Sequence, residues 1–159
     1  MNLKEEQIIK SALLFAEKKH SGQKRIGGEP YITHPKAVAK IISDKGYDAE
    51  YIITALFHDL LEDTDATEQE IELLGGKRVL KSVKLLTKTD KIFMSDYISG
   101  IKSDPMAFAV KGADRLHNLR TAEYADKSFK LRYIEETKLW YMDFMPEIPK
   151  ALATLENSL

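Results

Sequence analysis

An all-α bundle is the fold class this sequence predicts, and three observations carry it. Apolar residues recur at the three-and-four spacing of amphipathic helices through most of the chain. Helix-start signals recur as well, among them Asp48, Thr67 with Glu70, and Asp104 followed by Pro105. No stretch alternates apolar and polar residues long enough to build a strand ladder. At 159 residues and 43% hydrophobic, the chain suits one core, 1–159, and is short for two domains.

The first helix carries Leu3, Ile8, Ala12, Phe15 and Ala16 on one face, and the polar loop SGQKRIGGEP ends it. In YITHPKAVAKII, Thr33 is placed to cap a second helix and Pro35 to sit in its first turn, where a missing N–H costs little, so His34 stands at a helix entrance. Asp48 caps a helix running through AEYIITALFHDLLED, and TEQE at 67–70 has the spacing of a capping box for the next. LLGGKRVLKSVKLLT reads as a turn and another helix. Asp104 and Pro105 open a helix to about residue 122. Gly112 inside it costs roughly 1 kcal/mol relative to alanine, which close packing or ligand approach would explain. LRYIEETKLWYMDFM adds a helix that Pro146 and Pro149 interrupt, with Trp140, Tyr141 and Phe144 as core aromatics. The total comes to roughly six to eight helices.

Composition narrows the function. A formal charge of -1 and a pI near 6.4 provide no cationic excess for a polyanion, so polymeric nucleic acid is not an expected partner, while a small anion needs only a few local cations. There is no cysteine, which leaves His, Asp and Glu as strong metal ligands and agrees with a cytoplasmic chain. The N-terminus MNLKEEQIIKSALLFAEKKH has neither the apolar run of a signal peptide nor that of a membrane span. Small helical domains frequently form homo-oligomers, but no feature singles out an interface.

The segment ALFHDLLEDTDAT concentrates the chemistry. At about 100° per residue, His58, Asp59, Glu62 and Asp63 fall on one arc of a helix and Leu56, Phe57, Leu60 and Leu61 on the other. Three carboxylates beside an imidazole repel one another when ionised, and a divalent cation is the simplest compensation; a solvated acidic helix end is the alternative. His34 and Asp114, the latter one turn before Asn118, could join them. His34, His58, Asp59 and Asp114 then form a mixed nitrogen and oxygen donor set suited to manganese, iron, zinc or a similar ion.

Three segments resemble those of the HD-domain superfamily, more narrowly the hydrolase domains of RelA/SpoT-type enzymes and small alarmone hydrolases. They are GQKRIGGEPYITHP at 22–35, ALFHDLLEDT at 55–64 and VKGADRLHNLRTA at 110–122, in the family's order. The resemblance implies a compact HD-domain helical bundle in which His34, His58, Asp59 and Asp114 hold one divalent metal, most often manganese in these hydrolases. It also implies that Glu62 and Asp63 organise the attacking water and the proton transfers. Water beside such an ion is a better nucleophile near neutral pH, and a carboxylate can orient or deprotonate it. The implied activity is guanosine-3′,5′-bis(diphosphate) 3′-pyrophosphohydrolase, acting on ppGpp or pppGpp in the stringent response.

By the same resemblance Arg25 covers the guanine base and Asn118 contacts the nucleoside. Tyr31 and Thr121 line the pocket, and Lys24, Lys88, Lys111 and Arg120 are weaker phosphate contacts. His117 is expected to pack against or hydrogen-bond a ligand, not to hold the metal itself. Two positions depart from the family pattern: Ile26 stands where a lysine is common, and Gly112 where leucine is. An HD phosphatase or phosphodiesterase acting on another nucleotide, or a catalytically weakened nucleotide-binding protein, are the other readings. Without the synthetase and regulatory regions of the long enzymes, the chain is expected to act as a stand-alone hydrolase.

Overall fold

Helix-forming segments occupy nearly the whole chain in the computed structural model, which describes residues 1–159. The α-helices are α1 (Leu3–Lys19), α2 (Thr33–Asp44), α3 (Ala49–Phe57), α4 (Leu60–Asp63), α5 (Glu68–Gly75), α6 (Lys77–Leu86), α7 (Met94–Lys102), α8 (Pro105–Thr121), α9 (Lys127–Trp140) and α10 (Ile148–Asn157). A 3-10 turn, Ala122–Tyr124, follows α8, and the only extended pairing is an isolated bridge between Lys24 and Pro30. Helices α2, α3 and α8 pack on one another at the centre, with α1, α6 and α10 around them. Their apolar faces merge into one core of 35 buried residues, among them Ile42, Phe57, Leu60, Met106 and Leu116. Truncating one such side chain to alanine costs about 2–5 kcal/mol.

Most start signals act as the sequence predicts. Asp48 accepts from the Tyr51 N–H, Thr67 and Glu70 form a reciprocal capping box, and Asp104 accepts from the Met106 and Ala107 N–H groups with Pro105 in the first turn. Thr33 is the exception. Ile32 is already helical and the backbone enters α2 through a turn, so Thr33 lies inside the helix and its hydroxyl donates to the Pro30 carbonyl at 2.8 Å.

The count exceeds the expected range for three reasons. The helix through residues 49–63 is broken at His58 and Asp59. Helix α7 has no side-chain cap and carries Gly100, leaving little local signal, although Tyr97, Ile98 and Ile101 bury its inner face. In the tail, α9 starts earlier, at Lys127 capped by Asp126, and ends before Pro146; Pro149 does not interrupt a helix but opens α10.

Gly112 is a close-packing glycine. A Cβ there would meet the Phe144 carbonyl oxygen at 2.7 Å, so the missing side chain lets the turn after α9 lie directly on α8. Tyr141 and Phe144 are buried in that contact, and Trp140 packs partly buried beside them.

Candidate metal centre and its two pockets

The break between α3 and α4 is what assembles the site. His58 points Nδ1 at the Ala55 carbonyl, 2.6 Å away, the group that an uninterrupted helix would offer to the Asp59 N–H. With the ring holding that carbonyl, the chain turns at Asp59 and restarts at Leu60. The two adjacent residues therefore converge, with His58 Nε2 3.1 Å from Asp59 Oδ2. On a continuous helix their side chains would diverge by about 100°.

Two other helices complete the cluster. The first turn of α2 delivers His34 and the middle of α8 delivers Asp114, whose Oδ1 lies 2.8 Å from His34 Nε2 and 3.3 Å from His58 Nε2. Donor atoms of His34, His58 and Asp59 lie within 4.8 Å of one another, and His34, His58 and Asp114 are buried. The structure thus brings together all four residues expected to ligate a metal.

Each donor residue has a hydrogen-bond partner outside the cluster, and on Asp59 that partner shares the oxygen facing the imidazoles. The Tyr31 hydroxyl donates to Asp59 Oδ2 at 2.6 Å, and the Lys111 ammonium donates to Asp114 Oδ2 at 3.0 Å. His34 Nδ1 lies 2.8 Å from His117 Nδ1, with the rings stacked. Burial, with His34 and Arg25 nearby, holds the His117 imidazole down at about 4. It is therefore neutral near pH 7 and accepts the His34 Nδ1–H, while the Ala55 carbonyl accepts that of His58. Both Nε2 atoms are thereby turned to the centre.

The electrostatics fit a cation. Burial acts to raise Asp59, yet adjacent His58 overrides it and holds the carboxyl at about 2. Asp114 is likewise held well below the carboxylate range against burial, chiefly by Lys111 and the two histidines. Burial acts to lower His58, but Asp59 and Asp114 lift it well above its ordinary value. The carboxylates thus draw positive charge to the point between the imidazoles, and a divalent ion with a preference for nitrogen and oxygen donors supplies it.

A pocket lies on either side. On the Tyr31 side, a cavity of about 250 Å³ is lined by Lys24, Arg25, Ile26, Asn118, Thr121 and Phe129, among others. The Arg25 guanidinium donates to Asn118 Oδ1 at 2.9 Å and to Thr121 Oγ1 at 3.1 Å, and Asn118 Nδ2 donates to Asp114 Oδ1 at 3.3 Å. The cavity and the donor cluster thus share one hydrogen-bonded wall. On the other side a cleft of about 120 Å³ is lined by His58, Asp59, Glu62, Lys88, Met94 and Lys111, among others. Glu62 accepts the Lys88 backbone N–H at 2.8 Å. Desolvation raises the Glu62 and Asp63 carboxyls above their usual values.

Two cations do not sit as free phosphate contacts. The Lys111 ammonium is taken by Asp114 and lies over the Tyr97 and Tyr141 rings. Arg120 is on the far face of α8, with Glu123, Glu147 and Lys150. Sequence reasoning also missed several residues. Phe129 and Tyr133 line the larger pocket, and α9 had no motif to mark them. Gln23 donates to the Asp63 carbonyl at 2.8 Å, and its place in GQKR was the available signal. Arg115, within ADRLHN, lies between the Tyr133 and Tyr141 rings at 4.1 and 4.0 Å and pairs with Glu136 at 2.6 Å, clamping α8 to α9.

The chain is similar to several known proteins. GTP pyrophosphokinase rsh of Brucella ovis is 39% identical over 143 residues, 83% of this chain and 19% of that protein. The bifunctional (p)ppGpp synthase/hydrolase SpoT of Escherichia coli K12 is 39% identical over 148 residues, 85% of this chain and 21% of that one. A protein of Escherichia coli O157:H7 called guanosine-3′,5′-bis(diphosphate) 3′-pyrophosphohydrolase matches over the same shares. The chain therefore spans about a fifth of the length of these curated relatives. The fold is that of a solved structure described as a metazoan ortholog of SpoT that hydrolyzes ppGpp, with a TM-score of 0.78 and 24% identity over 94% of each chain. The HD domain family matches residues 12–144, the span that contains every donor of the cluster, and this chain belongs to that family.

Proposed function

We propose that residues 1–159 act as one cytoplasmic metal-dependent hydrolase domain that removes the 3′-pyrophosphate of ppGpp or pppGpp, releasing GDP or GTP. The observation that carries this reading is the shared wall: Asn118 contacts both Asp114 in the donor cluster and Arg25 in the larger pocket. A nucleoside in that pocket has its phosphorylated ribose edge facing the cluster. The names of the relatives, which include a 3′-pyrophosphohydrolase and a (p)ppGpp synthase/hydrolase, point to the same substrate class.

In this reading His34, His58, Asp59 and Asp114 hold one divalent ion, manganese being our choice among those that suit the donor set. When bound, the ion supplies Lewis acidity to the phosphoryl group and to water. The chain's own residues do the rest. Arg25, Tyr31, Asn118 and Thr121 seat the nucleoside, the Arg25 guanidinium offering a planar face to the base, and Lys24 lies exposed at the rim. Lys88 borders the cleft on the other side and is available to phosphate oxygens. Glu62 orients a water and accepts its proton, its raised pKa making it a stronger base than an ordinary glutamate. Asp63 assists the return of a proton to the ribose 3′ oxygen as the diphosphate transfers to water.

The test is product identification with purified protein, manganese and a panel of 3′- and 5′-phosphorylated nucleotides. Release of pyrophosphate with GDP or GTP is expected. Turnover of a different nucleotide class instead, or alarmone binding without turnover at saturating metal, would overturn the assignment.

A further inference from the structure

Lys111 is the one charged group among the hydrogen-bond partners of the four donors. Its ammonium lies 3.0 Å from Asp114 Oδ2, while Asp114 Oδ1 faces the two imidazoles. The two carboxylate oxygens are therefore given different tasks. The lysine has little freedom to release its oxygen: its side chain is 16% exposed, and the ammonium lies 5.8 Å from the Tyr97 ring centre and 5.5 Å from that of Tyr141. Aromatic faces attract an ammonium, so leaving this position sacrifices an ion pair and two cation–π contacts together.

We propose that Lys111 is a metal-selectivity residue, which by occupying Asp114 Oδ2 confines that carboxylate to one-oxygen ligation and so disfavours large, oxygen-demanding cations. Calcium takes six to eight oxygen ligands at long distances and accepts carboxylates in the one-oxygen or the two-oxygen mode, the second being how a site with few side chains reaches that number. Zinc takes four donors; manganese and iron stop at six, the lower end of the calcium range, and accept imidazole nitrogen beside oxygen. A site with two imidazoles and an Asp114 restricted to Oδ1 discriminates between these groups through coordination number. Lys111 is accordingly a positioning residue and not a phosphate contact.

The inference rests on the metal-centre reading and is independent of which nucleotide is hydrolysed. Its test is titration calorimetry of the metal-free protein with manganese and with calcium, on the wild type and on K111M and K111R. Removing the lysine charge strengthens the binding of any dication, so absolute affinities mix two effects; the manganese-to-calcium affinity ratio cancels the charge effect and isolates the geometric one. We expect the ratio to fall by about tenfold in K111M, the scale on which groups supporting a metal ligand act, and to be retained in K111R. A folded K111M whose ratio falls less than threefold overturns the proposal, as does a wild type that binds calcium as tightly as manganese. If K111M does not fold, the same threshold applies to K111Q. A wild type that binds neither ion removes the metal reading itself, a result distinct from an unchanged ratio.

Discussion

His34 is 2% exposed and Ile26, close to it in the chain, is 70% exposed, and the segments around them are built by different rules. Around His34, two helices and the broken α3–α4 turn bring four donors together, and each donor has its own hydrogen-bond partner. Around Ile26, the loop from Gln23 to Glu29 is anchored through a few contacts, chiefly Arg25 on Asn118 and Thr121 and Gln23 on the Asp63 carbonyl. A metal ligand displaced by a fraction of an ångström loses its function, whereas a substrate must enter and leave. The first region is therefore over-determined and the second is open on one side.

Breaking the over-determined region should have the largest effects. Asp59→Ala is expected to abolish tight metal binding in calorimetry and to reduce alarmone hydrolysis to background. Glu62→Gln should retain metal yet lose about 10²–10⁴ of kcat, the span typical of a general base. Equal activity would remove Glu62 from the mechanism. With Glu62 deprotonated for catalysis, wild-type kcat/KM falls as the pH drops through its raised pKa. The acid limb should therefore lie above the ordinary glutamate value of about 4.3, and Glu62→Gln should lack it. One layer out, His117→Phe keeps a ring against His34 but removes the acceptor for its Nδ1–H. Metal affinity should weaken about 10–100-fold with little change in the nucleotide KM; a change confined to KM would place His117 in the nucleotide pocket instead.

The same contrast explains what could be read from the sequence. Helix starts were legible at Asp48, Thr67 and Asp104 because a cap is a local bond between a side chain and the backbone a few residues on. That His34, His58, Asp59 and Asp114 meet was legible because their residue types are rare together and chemically demanding. The break at His58 was not, since it depends on a side chain competing for the Ala55 carbonyl, and periodicity alone extends the helix through Asp63. The ion pair of Lys111 was not legible, because in sequence a lysine shows only its charge. Its partner Asp114 and the Tyr97 and Tyr141 faces are supplied by the fold. Gly112 carried an ambiguous signal for a similar reason: the Phe144 carbonyl that requires it comes from a distant turn.

Smaller effects are expected at the open side. Arg25→Ala removes a guanidinium with two hydrogen bonds on the pocket wall, and hydrogen bonds to charged groups are worth about 1.5–3 kcal/mol. KM should rise by about tenfold or more while metal affinity stays within error; a loss of metal would mean that Asn118 transmits the change to Asp114. The smallest effect separates the two regions most sharply. Ile26→Lys restores the cation common in the family at an exposed rim of the pocket, beside Lys24 and Arg25. An exposed ion pair contributes about 0.2–1 kcal/mol and is screened by salt. KM for alarmone should therefore fall by no more than about fivefold at low ionic strength, with the gain fading as salt is added. Metal affinity and the pH of the acid limb should not move, because Ile26 is 70% exposed and makes no hydrogen bond to a donor or its partner. A shift in either would show that the rim and the donor cluster are coupled, and the contrast between a rigid metal wall and a tolerant substrate rim would have to be abandoned.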